Sequence, residues 1–177
     1  MNVMSFEEKQ WLKTEIFNIG KHFILINKEH SIHLLIRNQA AGNVSNQTLL
    51  GSSLLENDNL PGFILRMVKN QLEPGLKASP CKNVAINVSL QVINNMIVGH
   101  LKNQVLLVKS ETITEALNLI FQDQNKLDTK SRLYGSHVVC CLLRSNGSIM
   151  DECPNFCLTM SKFLPTLFHQ YQRGNSV

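Results

Sequence analysis

His137, Cys140, Cys141, Cys153 and Cys157 fall in one short stretch, and they are the side chains that hold zinc or, beside a base, act as thiol nucleophiles. Structural zinc takes four nitrogen or sulfur ligands, commonly as two close pairs, and the spacing of His137 with Cys140 and of Cys153 with Cys157 offers such pairs. Residues 137–144 are rich in β-branched and apolar types and read as a strand. In a strand side chains alternate, so His137 shares a face with Cys141 rather than Cys140. The zinc set that remains is His137, Cys141, Cys153 and Cys157, and it requires Cys153-Pro-Asn-Phe-Cys157 to wrap back over the preceding hairpin. No glycine-containing knuckle brings a ligand pair together, and cysteines used as small buried hydrophobes are the preferred reading.

Other chemistry is thinner. The six histidines, His22, His30, His33, His100, His137 and His169, are scattered, and no cysteine sits at a glycine-flanked strand-to-helix turn where a base could activate it. Glu7-Glu8 opens a helix and Asp151-Glu152 ends a strand, positions that give neither pair an acid–base role. The nine glycines form neither a dinucleotide fingerprint nor a phosphate-binding loop, which argues against the common nucleotide-dependent enzymes. The balance leans away from catalysis.

Charge suggests a different activity. Between Leu60 and Lys109 the cations Arg66, Lys69, Lys77, Lys82, Lys102 and Lys109 face Glu73 alone, an excess that favours an anionic partner. Lys126, Lys130, Arg132, Tyr134 and Arg144 form a second basic patch with one aromatic. Such a patch supports a salt-sensitive contact to RNA or DNA, because phosphates need only accessible cations while base recognition needs exposed rings.

The elements that position these residues follow from periodicity. Ser5 and Glu8 form a capping box ahead of a helix over about 6–19, and two apolar runs, 22–26 and 32–36, read as a hairpin. Residues 38–59 turn polar and small and read as a long loop, interrupted by the pairs Leu49-Leu50 and Leu54-Leu55, which could dock on a partner. Asn59 caps a helix with Pro61 in its first turn and a stripe of Leu60, Ile64, Met67, Val68 and Leu72. From 83 to 93, Val84, Ile86, Val88, Leu90 and Val92 alternate with smaller or polar residues, as in a strand with one wet face. Asn94-Asn95 reads as a turn, 96–101 and 105–109 as further strands, and Thr112 with Glu115 as the box that starts a third helix. Asn146-Gly147 is a hairpin signal that returns 148–152 beside 137–144. A final helical stripe runs from Phe156 through Met160, Phe163, Leu164, Leu167 and Phe168 to Tyr171, disturbed by Pro165.

This order predicts a single α+β domain over 1–177, a mainly antiparallel sheet built from hairpins with about four helices packed on it, and no internal repeat. At 177 residues and 44% hydrophobic content the chain can bury a core without covalent staples. Its start carries glutamates where a secretory signal needs a basic, then apolar, run, no segment is apolar enough to span a membrane, and the odd number of cysteines suits free thiols. These features point to cytoplasm or nucleus. The function expected is a non-catalytic protein–protein interaction module, a subunit of an intracellular complex with a protein partner or a second copy of itself. Its contact residues would be Leu49, Leu50, Leu54, Leu55, Phe163, Leu167, Phe168 and Tyr171. A nucleic-acid-binding protein is the alternative, and a zinc- or thiol-dependent enzyme comes third.

Overall fold

Asn43, Asn59, His100 and Asp128 each accept a hydrogen bond from the backbone N–H three residues on, and a helix begins after each of them. The computed structural model describes residues 36–52, 54–55, 58–73, 82–110, 112–121, 127–144 and 148–161, together with Ser5, Glu7 and Pro165. Over these the chain is almost wholly helical: α1 (36–40), α2 (Val44–Gly51), α3 (Leu60–Leu72), α4 (Lys82–Ile97), α5 (Leu101–Val108), α6 (Ile113–Phe121), α7 (Thr129–Leu143), α8 (Ser148–Glu152) and α9 (Pro154–Ser161). Among the described residues the sheet content is one antiparallel pair of two-residue strands, β1 (Leu54–Leu55) and β2 (Asp58–Asn59), with Leu54 opposite Asn59 and Leu55 opposite Asp58.

The expected α+β domain built on an antiparallel sheet is therefore wrong, and the reason lies in α4. Ile86, Leu90, Ile93 and Ile97 follow helical spacing and are buried, but so are Val88, Val92 and Met96. A helix wedged between neighbours buries a wide arc, and a wide arc satisfies a period of two as readily as one of 3.6. Packing then outweighs the strand preference of valine and isoleucine. The same holds for 137–144, which belong to α7, and for 96–101 and 105–109, which fall in the end of α4 and in α5. Asn94-Asn95 is a helical segment, and 148–152 form α8 rather than a returning strand. The helices expected after Asn59 and Thr112 are present as α3 and α6. The helix and hairpin expected over 6–36 lie outside the described residues, but for Glu7 and Ile36, which are helical.

The helices pack as a bundle, with α4 on α7 the most extensive contact, followed by α3 on α4 and α3 on α6; α2 also meets α5, and α5 meets α8. Two of these helices begin alike in sequence, at 42–50 and 99–107. Gly42 and Gly99 both hold positive φ, 64° and 67°, where a side chain would be strained. The next residues, Asn43 and His100, cap α2 and α5. Asn46 then donates its amide to the Gln39 carbonyl (3.1 Å), and Asn103 does the same to Met96 (2.8 Å). Gln47 and Gln104 are buried beside them, and Leu50 and Leu107 enter the core. The likeness ends at Leu50, after which the first segment runs on to β1 and β2 and the second to a short turn before α6.

The stretch 38–59, expected as a loop, holds most of α1 and all of α2. It looked polar because Asn46 and Gln47 are polar residues used inside, at 1% and 2% exposure, each spending its amide on backbone carbonyls. The core is one apolar cluster running from Ile36 to Met160 and including Ile64, Leu90, Leu117 and Val139.

Candidate interaction face

Arg37 on α1 donates from its guanidinium to the Gln91 side-chain oxygen on α4 (2.9 Å), and its own carbonyl accepts from the Asn95 amide (2.9 Å). On the other flank of α4, Asn87 donates to the Asp128 carboxylate (3.3 Å) and accepts from the Ser131 hydroxyl (2.8 Å), while Asn94 accepts from the Cys141 thiol (3.3 Å). Asn87, Gln91 and Asn94 recur at helical spacing, so one stripe of α4 carries amides that tie it to α1 on one side and α7 on the other. Higher numbers on α4 meet higher numbers on α7, and the two helices run parallel. α1, α4 and α7 thus lie side by side, and along α4 Val84, Asn87, Gln91, Asn94 and Asn95, with Val98 just past its end, are not buried.

The facing stripe of α7 is Lys130, Tyr134, His137, Cys141 and Arg144. Lys130, His137 and Arg144 are exposed, Tyr134 and Cys141 half-buried, and the Tyr134 and His137 rings meet edge to face with centroids 6.0 Å apart. Burial pushes the Cys141 thiol up, which keeps it protonated and fit to donate to Asn94. Burial also acts to raise the Asp128 carboxyl, but hydrogen bonds from the Ser131 hydroxyl and backbone N–H, then Asn87, leave it below its ordinary value.

Lys69 on α3 meets Glu115 on α6 at 2.6 Å and Glu73 at 3.6 Å, and Lys109 after α5 meets Glu152 on α8 at 2.7 Å. Hydrogen bonding to Glu115 and to Glu152 holds the two lysines above their ordinary values. On α1, α4 and α7, among the described residues, Arg37 and Arg144 form no ion pair, and the one carboxylate, Asp128 at the α7 N-cap, is lowered by its hydrogen bonds and in part by the charge of Lys130.

The expected site residues separate. Of the leucine pairs, Leu50 is in the core at 1% exposure and Leu49 is half-buried, while Leu54 and Leu55 form β1. Phe163, Leu167, Phe168, Tyr171 and Lys126 lie outside the described residues. Lys130, Tyr134 and Arg144 share the α7 stripe, and Arg132 is half-buried on another side of that helix. Of the zinc set, His137 and Cys141 are one turn apart on α7, Cys153 is half-buried between α8 and α9, and Cys157 lies in α9; among the described residues no three histidine, cysteine or carboxylate side chains gather as metal ligands would. A cleft of about 400 Å³ opens between α5, α6 and α9, lined by Lys109, Ser110, Thr114, Glu152, Cys153 and Phe156. No histidine lines it, and the paired Lys109 and Glu152 are part of its lining.

Sequence reading missed Arg37, Gln91, Asn94 and Asn95. Amides at Asn87, Gln91 and Asn94, spaced four and three apart inside an apolar segment, were the signal, and it is visible only once the segment is taken as a helix. Among the described residues no helix is long and apolar enough to cross a membrane. Comparison with protein-family models, with curated proteins and with solved structures finds no match to this chain.

Proposed function

We propose that this chain is a non-catalytic protein–protein interaction module, a subunit of a cytoplasmic or nuclear complex, and that α1, α4 and α7 present its contact face. The observation that carries the reading is the polar stripe of α4. Gln91, Asn94 and Asn95 are half-buried and each spends one amide group on a neighbouring helix; the other group, a donor on Gln91 and Asn94 and an acceptor on Asn95, makes no bond among the described residues. An array with both donors and acceptors suits a polypeptide backbone, which offers both in return.

The test is affinity purification of the full chain from its native cell, read by mass spectrometry, with a variant carrying Gln91→Ala and Asn94→Ala in parallel. A partner retained in stoichiometric amount by the parent chain and lost by the variant is the expected result. A chain recovered alone and monomeric overturns the reading.

A further inference from the structure

Resting on that interaction reading, we infer that the partner of the α1–α4–α7 face is an extended acidic polypeptide segment. Its carboxylates sit over Arg37 on one side and over Arg144 on the other, and its backbone crosses the amides of α4. Among the described residues Lys69 and Lys109 are matched by carboxylates from a neighbouring helix, Lys130 lies in the field of Asp128, and Arg37 and Arg144, like Lys82 and Lys102, form no ion pair. Arg37 is held by neutral oxygens, those of Asn38 at 3.1 and 3.0 Å and of Gln91 at 2.9 Å, which fixes its guanidinium without neutralising it. A pre-positioned, unneutralised guanidinium binds a carboxylate in a forked, directional contact.

Geometry sets the spacing of the acids. Packed helices lie about 9 Å apart, so α1 and α7 are about 18 Å apart across α4, the reach of roughly five or six residues of extended chain. The segment that fits has two acidic positions separated by that distance, with small or polar residues between. A nucleic acid fits less well. Its phosphates follow one another far more closely than these cations do, the central row offers an acceptor as well as donors, and Tyr134 is packed on His137 rather than open for stacking.

The experiment measures fluorescence anisotropy of the full chain with a labelled peptide in which two Glu-Glu pairs flank a Ser/Ala spacer of about five residues. Its comparators are the same peptide with glutamine for glutamate and a thymidine oligonucleotide of equal charge. The expected result is binding of the glutamate peptide at low salt, with affinity about tenfold lower for the glutamine version and for an Arg144→Glu variant. The Arg144 side chain is exposed, and unchanged far-ultraviolet dichroism shows that the variant folds; Arg37→Ala is the second probe. Equal binding of the two peptides, preferred binding of the oligonucleotide, or no binding at low salt overturns the acidic-segment inference. Should that happen while the native cell still yields a stoichiometric partner sensitive to Gln91→Ala and Asn94→Ala, the interaction module stands and the charge assignment alone falls.

Discussion

The joint between α2 and α5 and the joint between α5 and α8 each bring two helices together, and they hold them by different chemistry. In the first, the Asn103 amide donates to the carbonyls of Gln47 and Met96, both at 2.8 Å, and His100 meets the Thr48 hydroxyl at 2.8 Å. Gly51 leaves the space for this, since a Cβ there would collide with the Asn103 side-chain amide. In the second, Ile149 is buried in the first turn of α8, as Asn46 and Asn103 are buried in the first turns of α2 and α5, and the polar contact is the Lys109–Glu152 pair with both side chains about half exposed. Hydrogen bonds in a desolvated seam are directional and costly to misalign, whereas apolar contact and a solvated ion pair tolerate adjustment. The first joint specifies register; the second supplies adhesion.

Substitutions can break that contrast, and urea-denaturation midpoints read them. The largest effect is expected from Ile149→Asn, which moves the first joint's residue into the second without its partners. The lost packing and the unpaired amide together cost about 4 kcal/mol. Asn103→Ala leaves the Gln47 and Met96 carbonyls without their donor in a buried seam and costs about 2–3 kcal/mol. Gly51→Ala costs about 1–3 kcal/mol by overpacking, and in an Asn103→Ala background that cost falls below about 1 kcal/mol. Additive single and double variants would show that the two residues are not fitted to one another.

Acid offers a gentler probe of the same joint. The His100 Nδ1 accepts from the Asn103 N–H at 3.2 Å, and Thr48 spends its hydroxyl hydrogen on the Val44 carbonyl, so Nε2 carries the proton and donates to Thr48. Burial first, then Lys102, hold His100 below its ordinary value, against the opposing pull of its own backbone. The unfolded chain therefore takes up this proton at higher pH than the native chain. Stability from this group is complete above about pH 6.5 and declines as pH falls from there through the depressed native value. Asp128, also depressed, adds its own loss at lower pH, so the comparison is with His100→Asn, which keeps a capping acceptor as at Asn43 and is expected to flatten the first part of the decline. Lys109→Ala at the second joint should give no resolvable change in midpoint, since its charge is solvated.

Local signals were legible wherever one residue acts on its own neighbours. Asn59 with Pro61, and Thr112 with Glu115 before Ile113, announced α3 and α6 because caps and first turns are decided within a few residues. The type of α4 was not legible by alternation, because Val88 and Val92 are buried by packing with the rest of the core, and nothing local records that. The likeness of 42–50 to 99–107 hid for a related reason. Its most telling residues, Asn46, Gln47, Asn103 and Gln104, are polar in a stretch read as solvated, and what makes them structural is the carbonyls they meet across the chain. For the candidate site, Lys130, Tyr134 and Arg144 were visible by composition, while Arg37 and the α4 amides joined them only through helix packing.

The parallel course of α4 and α7 has an electrostatic consequence that no side chain supplies. In an antiparallel bundle neighbouring helices oppose their peptide dipoles; here the dipoles of α4 and α7 point the same way and add. The amino-terminal edge of the face, near Lys82 and Lys130, is therefore positive before any lysine is counted, and the edge near Val98 carries the partial negative charge of the helix ends, with Arg144 set against it. The face has an intrinsic polarity across its width, built from backbone amides and insensitive to pH, so a bound chain whose charge is uneven would meet two different edges rather than one uniform surface.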